Sequence, residues 1–474
     1  MSRKFQCKVV PSAWLQKDGR RLDCGPYMSG AIEAKELLKK HDPESLSALT
    51  KGHNGGIYSG PQFVRNYVDD PAHGVPFLTT STMLQADMTN LPRISSKDAH
   101  SANLSFLRVE EGMTLITCSG SIGRMAYARK DMAGCWSNQD IMKVVADRNK
   151  ILPGYLFAYL SSRFGVPMVV SGTYGAIIQH IEAHHIADLP VPRLGAVENQ
   201  AHELIQEAAD LRVDAAAQIQ VATVRFLEAA GLDNISPYEW IQQSGRIGFT
   251  TTISKTILRA VNYIPLNQKL AETVKSKCPA WKPLGEVTIP ETLRRGLRFK
   301  RVDADPEFGV RLVGQREGFN LVSEGRWVAK SYLSNDPLLH VPAGTIIVAS
   351  QGGIGETDSF ARAQFISGRR LEHVYSEHFL RIIGNEEVIP RGALFAYIRS
   401  NLAFRLLRSC AIGSMQQDFH PKLLAEVPVP IIADSESRAI DMLVRDAFTK
   451  YDLAIDYENE ARSLVERAIE EESR

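Results

Sequence analysis

The sequence predicts a mixed α/β protein that contains two homologous domains, each followed by a long helix. The first observation is a repeat: Leu156–Leu160 returns as Leu394–Ile398, 238 residues later (394 minus 156), and Ala187–Pro192 returns as Ala425–Pro430 at the same distance. That distance also separates Gly175 from Gly413 and Gln179 from Gln417. A repeat this long indicates two copies of one domain and excludes a solenoid. The second observation is a long stretch without Gly or Pro after each copy.

Each copy has the same predicted elements in the same order. Apolar runs bounded by turn residues predict strands, and the two closing prolines force extended backbone. The paired segments are Ala31–Lys40 and Leu266–Lys277 as helices, Val75–Leu78 and Val310–Val313 as strands, Met113–Thr117 and Thr345–Ala349 as strands, Ser119–Gly123 and Gln351–Gly355 as glycine loops, and Tyr155–Phe164 and Ala393–Leu407 as helices. The glycine loops are 232 residues apart (351 minus 119), so six residues are inserted later in copy two. We expect this insertion around Arg369 and Arg370.

The two long helices are predicted at about 196–230 and 435–469. Alanines recur every seven residues in both stretches, which is typical of a narrow seam between helices. The predicted seam residues are Leu204, Ala208, Leu211, Ala215, Ala447, Tyr451, Ala454 and Ala461. We expect an antiparallel coiled coil in which each helix is roughly 50 Å long; alternatively, each helix covers the core of its own domain. The predicted domain ranges are 1–192, 193–235, 236–430 and 431–474.

Composition narrows the function without deciding it. The chain has 474 residues, 44% hydrophobic and 23% charged, which is typical of globular protein. Its 55 Lys and Arg almost balance 54 Asp and Glu, so a nucleic-acid partner would need a local basic cluster. We expect no membrane span, no secretory signal and a cytoplasmic location, with the six scattered cysteines as free thiols.

Motifs for catalysis or for a cofactor are missing. The sequence has no Walker A loop, no H-E-x-x-H, no G-x-S-x-G, no C-x-x-C and no N/D-P-P-F/Y/W base pocket. His180 and His184 have metal-ligand spacing, with His185 beside them, but copy two has no equivalent set. We therefore expect no enzyme activity, no cofactor and no metal.

Local basic and polar segments are the candidate DNA-binding residues. Arg294–Arg301 holds five cations and an aromatic in a predicted loop, a composition that suits phosphate contacts, although a solvated basic loop is the alternative. Polar residues directly after predicted strands, or in the glycine loops, can contact base edges. The candidates are Thr80, Ser81, Ser119, Ser121, Arg124, Arg294, Arg295, Arg298, Lys300, Arg301, Gln315, Arg316 and Gln351. Arg399, Arg405 and Arg408 are instead assigned to the polar face of a helix.

Taken in order and in duplicate, these motifs resemble the specificity subunit of type I restriction–modification systems. The resemblance rests on Gly112–Gly123, Leu156–Tyr159 and Pro190–Pro192 and on their copies in the second half. It implies two target-recognition domains that bind a split site on double-stranded DNA. It also implies partner adenine methyltransferase subunits that carry S-adenosylmethionine, and a separate motor nuclease, in phage defence.

Two alternatives stay open from the sequence. One is a scaffold with two sugar- or peptide-binding domains and a coiled-coil spine. The other is a self-contained nuclease or methyltransferase fused to a DNA reader.

Overall fold

The computed structural model describes residues 7–17, 24–171, 180–244, 248–253 and 257–471. Backbone contacts divide the chain into a first unit, residues 2–213 and 453–474, and a second unit, residues 214–452. The functional boundaries predicted at residues 192, 235 and 430 stay a prediction. Gly175 and Gln179 lie outside the described residues.

The first unit combines short helices with three small sheets. Its strands pair in the orders β2-β8-β5-β6, β4-β3-β7 and β1-β9. The strands are β1 Glu44–Ser45, β2 Ile57–Tyr58, β3 Gly74–Leu78, β4 Arg93–Ser95, β5 Thr114–Thr117, β6 Met125–Tyr127, β7 Trp136–Ser137, β8 Ile141–Val144 and β9 Pro190–Val191. The helices are α1 Ser12–Lys17, α2 Gly25–Met28, α3 Ala31–Leu38, α4 Ser96–Ala99, α5 Pro153–Leu160, α6 Gly165–Ser171, α7 Ala183–Ile186 and the long α8 Ala196–Ala229.

The second unit has sheets of the same kind. Its orders are β11-β17-β14-β15, β13-β12-β16 and β10-β20, with a further β18-β19 pair. The strands are β10 Trp281–Pro283, β11 Arg294–Arg295, β12 Gly309–Val313, β13 Arg326–Ala329, β14 Thr345–Ala349, β15 Ala363–Ile366, β16 Val374–Tyr375, β17 Phe379–Ile382, β18 Ala411–Ile412, β19 Asp418–Phe419 and β20 Pro428–Pro430. The helices are α9 Pro237–Ser244, α10 Pro265–Lys277, α11 Leu284–Val287, α12 Arg391–Ile398, α13 Asn401–Arg408, α14 Pro421–Ala425 and the long α15 Asp434–Glu471.

Strand registers show that the two units are copies of one fold. In the first unit Tyr58 is paired with Lys143, and in the second Arg294 is paired with Arg381. The parallel pairs also match, because β3 with β7 and β12 with β16 use corresponding residues. The predicted mixed α/β fold with two homologous domains is therefore confirmed. The glycine-rich segment before Gly60, which has no counterpart by sequence, contains β2 and corresponds to the region of β11.

The register corrects the predicted place of the insertion. Thr114 is paired with Tyr127 in the first unit, and Ile346 is paired with Phe365 in the second. Seven residues, 118–124, connect β5 to β6, whereas thirteen, 350–362, connect β14 to β15. The six extra residues thus extend the glycine loop of the second unit, and the prediction around Arg369 and Arg370 was wrong.

Hydrogen bonds explain why the repeated motifs recur. The Tyr159 hydroxyl donates to the carbonyl of Pro190, and the Tyr397 hydroxyl donates to the carbonyl of Pro428 at 2.6 Å. Because both tyrosines are fully buried, the aromatic motif and the Pro-x-Pro motif form one structural contact in each unit.

The long helices pack against each other, as predicted. In the first unit Ala201, Ile205 and Ala209 of α8 share a core cluster with Ala461 and Val465 of α15. In the second unit Gln218 donates to Asp446 at 2.9 Å, and Arg225 bonds Glu436. Residue numbers fall along one helix as they rise along the other, so the helices run antiparallel. Of the predicted seam residues, Leu204 and Leu211 are half-buried and the other six are buried; the six are Ala208, Ala215, Ala447, Tyr451, Ala454 and Ala461.

The predicted helix 393–407 is two helices. The first, α12, ends at Ile398, and Ser400 has extended backbone. The Ser400 hydroxyl accepts from the amide of Ala403 at 3.1 Å and so caps α13. Arg405 and Arg408 are buried on α13 and were wrongly assigned to a polar face. Among the described residues, no helix has the length and apolar sequence of a membrane span.

Candidate nucleic-acid interface

Parallel strand pairs bring the candidate residues of each unit to one edge. Parallel strands end at the same side of a sheet, so the residues after β3 and β7 lie together, as do those after β12 and β16. The amide of Asn138 donates to the Leu78 carbonyl at 2.8 Å, and the amide of Ser376 donates to the Val313 carbonyl at 3.1 Å. Thr80 and Ser81, and Gln315 and Arg316, follow directly after these contacts.

The glycine loops join the same edge. The amide of Cys118 donates to the Asp140 carbonyl, and the amide of Ser350 donates to the His378 carbonyl, both at 2.9 Å. We name the resulting surface the strand-end face. It comprises 79–81, 119–123 and 138–140 in the first unit, and 314–316, 351–355 and 376–378 in the second.

The basic segment of the second unit is largely ion-paired. Arg294 and Arg295 form strand β11, which corrects the predicted loop. Arg294 bonds Asp336 at 2.8 Å and Arg295 bonds Asp418 at 3.0 Å. Burial alone would raise the pKa of Asp336, but hydrogen bonds from Arg294 and from two backbone amides lower it to about 2. Both arginines are therefore engaged in ion pairs within the second unit.

The remaining cations of the basic segment lie next to the strand-end face. Glu377 accepts a bond from Arg298 at 3.2 Å and another from Arg301. Lys300 lies 5.4 Å from the ring centre of Tyr332. The Arg298 side chain is 79% exposed, so phosphate could reach it without breaking the core.

Counting the whole basic segment gives a modest local charge. Four of the five cations, at positions 294, 295, 298 and 301, contact three carboxylates, at positions 336, 377 and 418. With Lys300 included, the segment and these carboxylates have a net charge of +2 (five minus three). The segment can neutralise a few phosphates, in agreement with the nearly neutral chain as a whole.

The first unit has the same framework with less charge. Arg65 donates to the Gln139 side-chain oxygen at 3.1 Å, in the position where Arg301 bonds Glu377 of the second unit. An uncharged amide thus replaces a carboxylate. Gln139 stands 238 residues before Glu377 (377 minus 139), so the repeat could have revealed this pair, although neither residue was predicted.

A buried cation lies beneath the strand-end face of each unit. Lys143 donates to the Ile141 carbonyl at 3.1 Å, and burial lowers its pKa to about 7. Arg381, at the equivalent position, donates to the carbonyls of Tyr375 at 2.6 Å, Ser376 at 3.0 Å, Phe379 at 2.5 Å and Leu338 at 3.3 Å. Burial lowers the pKa of Arg381 to about 10. Its guanidinium fixes the loop that carries Glu377.

The structure brings Gln315 and Gln351 together. The Gln315 side chain donates to the Gln351 carbonyl at 2.5 Å and to the Ser359 hydroxyl at 3.0 Å, and accepts from the Gln351 amide at 3.2 Å. Gln315 thus positions the glycine loop. Arg316, its neighbour, is exposed and has no ion pair within the described part of the chain.

The first-unit candidates line the shorter glycine loop. The hydroxyls of Thr79 and Ser81 are 3.0 Å apart, with Thr80 half-buried between them. The Thr117 hydroxyl accepts from the amide of Arg124 at 3.0 Å, which closes the loop, and Ser121 is exposed at its tip. Ser119 forms a backbone bridge with His180.

The histidines considered for a metal have local structural contacts. His185 accepts from the amide of Glu182 at 2.9 Å, and His184 lies 3.4 Å from the Glu182 carboxylate. Among the described residues, no group of three metal-ligating side chains occurs.

Solved structures to which this chain is similar include specificity subunits of type I restriction–modification systems. The subunit from M. genitalium has 13% identity and a TM-score of 0.31, over 90% of this chain and 93% of that chain. The HsdS subunit from Thermoanaerobacter tengcongensis has 12% identity and a TM-score of 0.25, over 90% and 95% of the chains. A third structure comes from work on complex assembly and conformational transition of the type I R-M system. It has 12% identity and a TM-score of 0.25, over 91% of this chain and 97% of that chain.

No family model and no curated protein matches the chain. The resemblance predicted from the motifs is confirmed in one respect: solved structures to which this chain is similar are specificity subunits. Alignments at these values assign no ligand, site residue or partner to this chain.

Proposed function

We propose that this chain is a non-catalytic DNA-specificity subunit, which recognises a bipartite site on double-stranded DNA. Each unit would bind one half-site through its strand-end face. The protein would direct partner adenine methyltransferase subunits, and a separate motor nuclease, to that site in anti-phage defence. It would act in the cytoplasm, where it has access to the DNA of the cell and of an infecting phage.

One observation carries this proposal: two copies of one framework present different side chains at equivalent positions. Thr80 corresponds to Gln315 after the paired strands, and Gln139 corresponds to Glu377. Base edges differ in their donors and acceptors, so two readers of different half-sites need different polar side chains on the same scaffold.

The chemistry of modification would come from the partners. S-adenosylmethionine would be bound by the methyltransferase subunits, and this chain would contribute the sequence contacts. The antiparallel pair of α8 and α15 offers these subunits a long helical surface. The resemblance of the duplicated motifs to specificity subunits supports this division of roles.

The test uses the chain together with a partner adenine methyltransferase subunit. Plasmid DNA from cells that carry both is sequenced for methylated adenine, and we expect one motif with two defined blocks and an undefined gap. The methyltransferase without this chain is the control, and it should leave the motif unmodified. Methylation by this chain alone would instead identify a self-contained enzyme.

A domain exchange tests the assignment of half-sites. Replacing residues 1–190 with those of a related subunit should change only one block of the methylated motif. Sequence-independent DNA association, or binding of a sugar or peptide with no DNA protection, would favour the scaffold alternative.

A further inference from the structure

The inserted residues of the second unit form a loop that two buried arginines hold in place. Arg408 donates to the carbonyls of Ile354 at 2.6 Å and Gly355 at 2.9 Å, and to those of Asp358 and Phe360 at 3.3 Å. Arg405 forms a two-bond ion pair with Glu356. Guanidinium groups with this many bonds leave the loop little freedom.

The internal repeat shows what the insertion changes. Ile122 stands at the equivalent motif position of the first unit and is packed against the core of that unit. Ile354 is 47% exposed at the tip of the longer loop. The isoleucine that packs against the core in the first unit is therefore an exposed apolar side chain in the second.

A second loop, joined to the inserted loop, carries another exposed apolar side chain. Met415 is 94% exposed in the turn before β19. A backbone bridge between Gly352 and Gln417 joins the two loops, and the Gln416 side-chain nitrogen donates to the Gln351 side-chain oxygen at 3.2 Å. We name Ile354 and Met415 the apolar tip.

The groups around the apolar tip can hydrogen-bond an adenine. Within the described residues, no partner occupies the Gln351 side-chain nitrogen or the Gln416 side-chain oxygen. An amide donor and an acceptor match N7 and the N6 amino group of adenine in the major groove, where the paired thymine presents its C5-methyl group. Arg295 contacts Asp418 of β19 at 3.0 Å, so the basic segment lies next to these loops.

We infer that the apolar tip contacts the C5-methyl group of a thymine in the half-site that the second unit binds. This inference rests on the proposed function and specifies which group of a base pair the strand-end face of the second unit contacts. Insertion of the tip between stacked base pairs is a different interaction, and the experiment separates the two.

The experiment uses the complete complex with its methyltransferase and a duplex that carries the mapped motif. Each thymine of the second half-site is replaced, one at a time, by deoxyuridine, which lacks only the methyl group. Loss of one buried methyl group should weaken binding by about fourfold at one or two positions. Ile354→Ala or Met415→Ala should weaken binding of the thymine duplex, and uridine should then have no further effect.

Val322→Ala provides a matched control, because Val322 is an exposed apolar residue (41%) elsewhere in the second unit. This variant should keep the full uridine effect. A uridine effect that is absent from the wild-type complex, or equally large in both tip variants, would overturn the inference. Bright fluorescence from 2-aminopurine in the duplex, together with no uridine effect in the wild-type complex, would also overturn the inference. That result indicates that an inserted side chain unstacks the bases.

Failure of the proposed function would be recognised earlier. In that case the complex would bind the mapped duplex and a scrambled duplex equally well, before any uridine is introduced.

Discussion

Lys143 and Arg381 occupy the same position in the two units, yet we expect their replacement by methionine to have opposite effects. Each is a fully buried cation beneath the strand-end face. Lys143 has one carbonyl partner, whereas Arg381 has four. The perturbations are Lys143→Met and Arg381→Met, each in the whole chain.

For Lys143 the magnitude follows from its pKa. Burial lowers that pKa from 10.5 to about 7, and one unit corresponds to about 1.4 kcal/mol. The unfolded chain then holds this proton more tightly than the folded chain, so stability rises with pH between about 7 and 10. At pH 7 the cost is roughly 4 kcal/mol, and Lys143→Met should recover a large part of it.

For Arg381 the balance is reversed. Its removal takes a donor from the carbonyls of Leu338, Tyr375, Ser376 and Phe379, of which Ser376 keeps the amide of Phe379 at 3.3 Å, and each buried group left unsatisfied costs about 1–3 kcal/mol. Some of these carbonyls will gain water, and methionine also removes the burial cost that lowers the pKa of Arg381 to about 10, so we expect Arg381→Met to destabilise the second unit by a net of about 3 kcal/mol. It should also loosen the loop that holds Glu377.

Buried thiols allow each unit to be followed separately. Cys118 and Cys135 are buried in the first unit, and Cys278 and Cys410 are buried in the second. Pulses of a thiol reagent along a urea series, resolved by mass spectrometry, give one unfolding midpoint for each pair. The series is repeated from pH 6 to pH 9.

The expected outcome has two parts. The wild-type midpoint of the first unit should rise with pH above 7, whereas that of Lys143→Met should be higher at pH 7 and almost independent of pH. The reasoning is refuted if the wild-type midpoint is flat over this range, or if both substitutions destabilise their units alike.

Two further predictions concern binding and helix packing. Arg298→Ala combined with Lys300→Ala should reduce the salt dependence of DNA binding by about two in the slope of log K against log salt; an unchanged slope would show that neither side chain contacts phosphate. Arg212→Met should destabilise the first unit by about 3 kcal/mol, because it leaves Glu458 charged and buried, while adding Glu458→Met should restore most of the loss in urea unfolding.

The sequence predicted the parts of the fold that the repeat marks twice. Tyr159 bonds Pro190 in the first unit, and Tyr397 bonds Pro428 in the second. These motifs occur together in both units because one supplies the donor and the other the acceptor of a buried hydrogen bond. Long helices were also predictable, because heptad alanines are a strong periodic signal over thirty or more residues.

The errors have physical causes that the sequence does not display. The spacing between two short motifs gives the number of inserted residues but not the position of the insertion. Only the pairing of Ile346 with Phe365 located the insertion in the glycine loop. Helical periodicity assigned Arg405 and Arg408 to a polar face because it treats charge as a solvent preference. Backbone carbonyls of the inserted loop accept hydrogen bonds from the Arg408 guanidinium, so the buried charge is hydrogen-bonded, although burial still lowers its pKa to about 10.

A comparison of equivalent positions separates scaffold from recognition. Phe63 and Phe299 pack in matching apolar clusters, and Arg65 and Arg301 extend to the same neighbouring position. At that position, on the strand-end face, glutamine becomes glutamate. A duplicated catalytic centre would need the same reactive groups in both copies while its supporting core was free to vary. Here the two units share the supporting framework and differ at Gln139 and Glu377 of the strand-end face, which is what we expect of two readers of different half-sites.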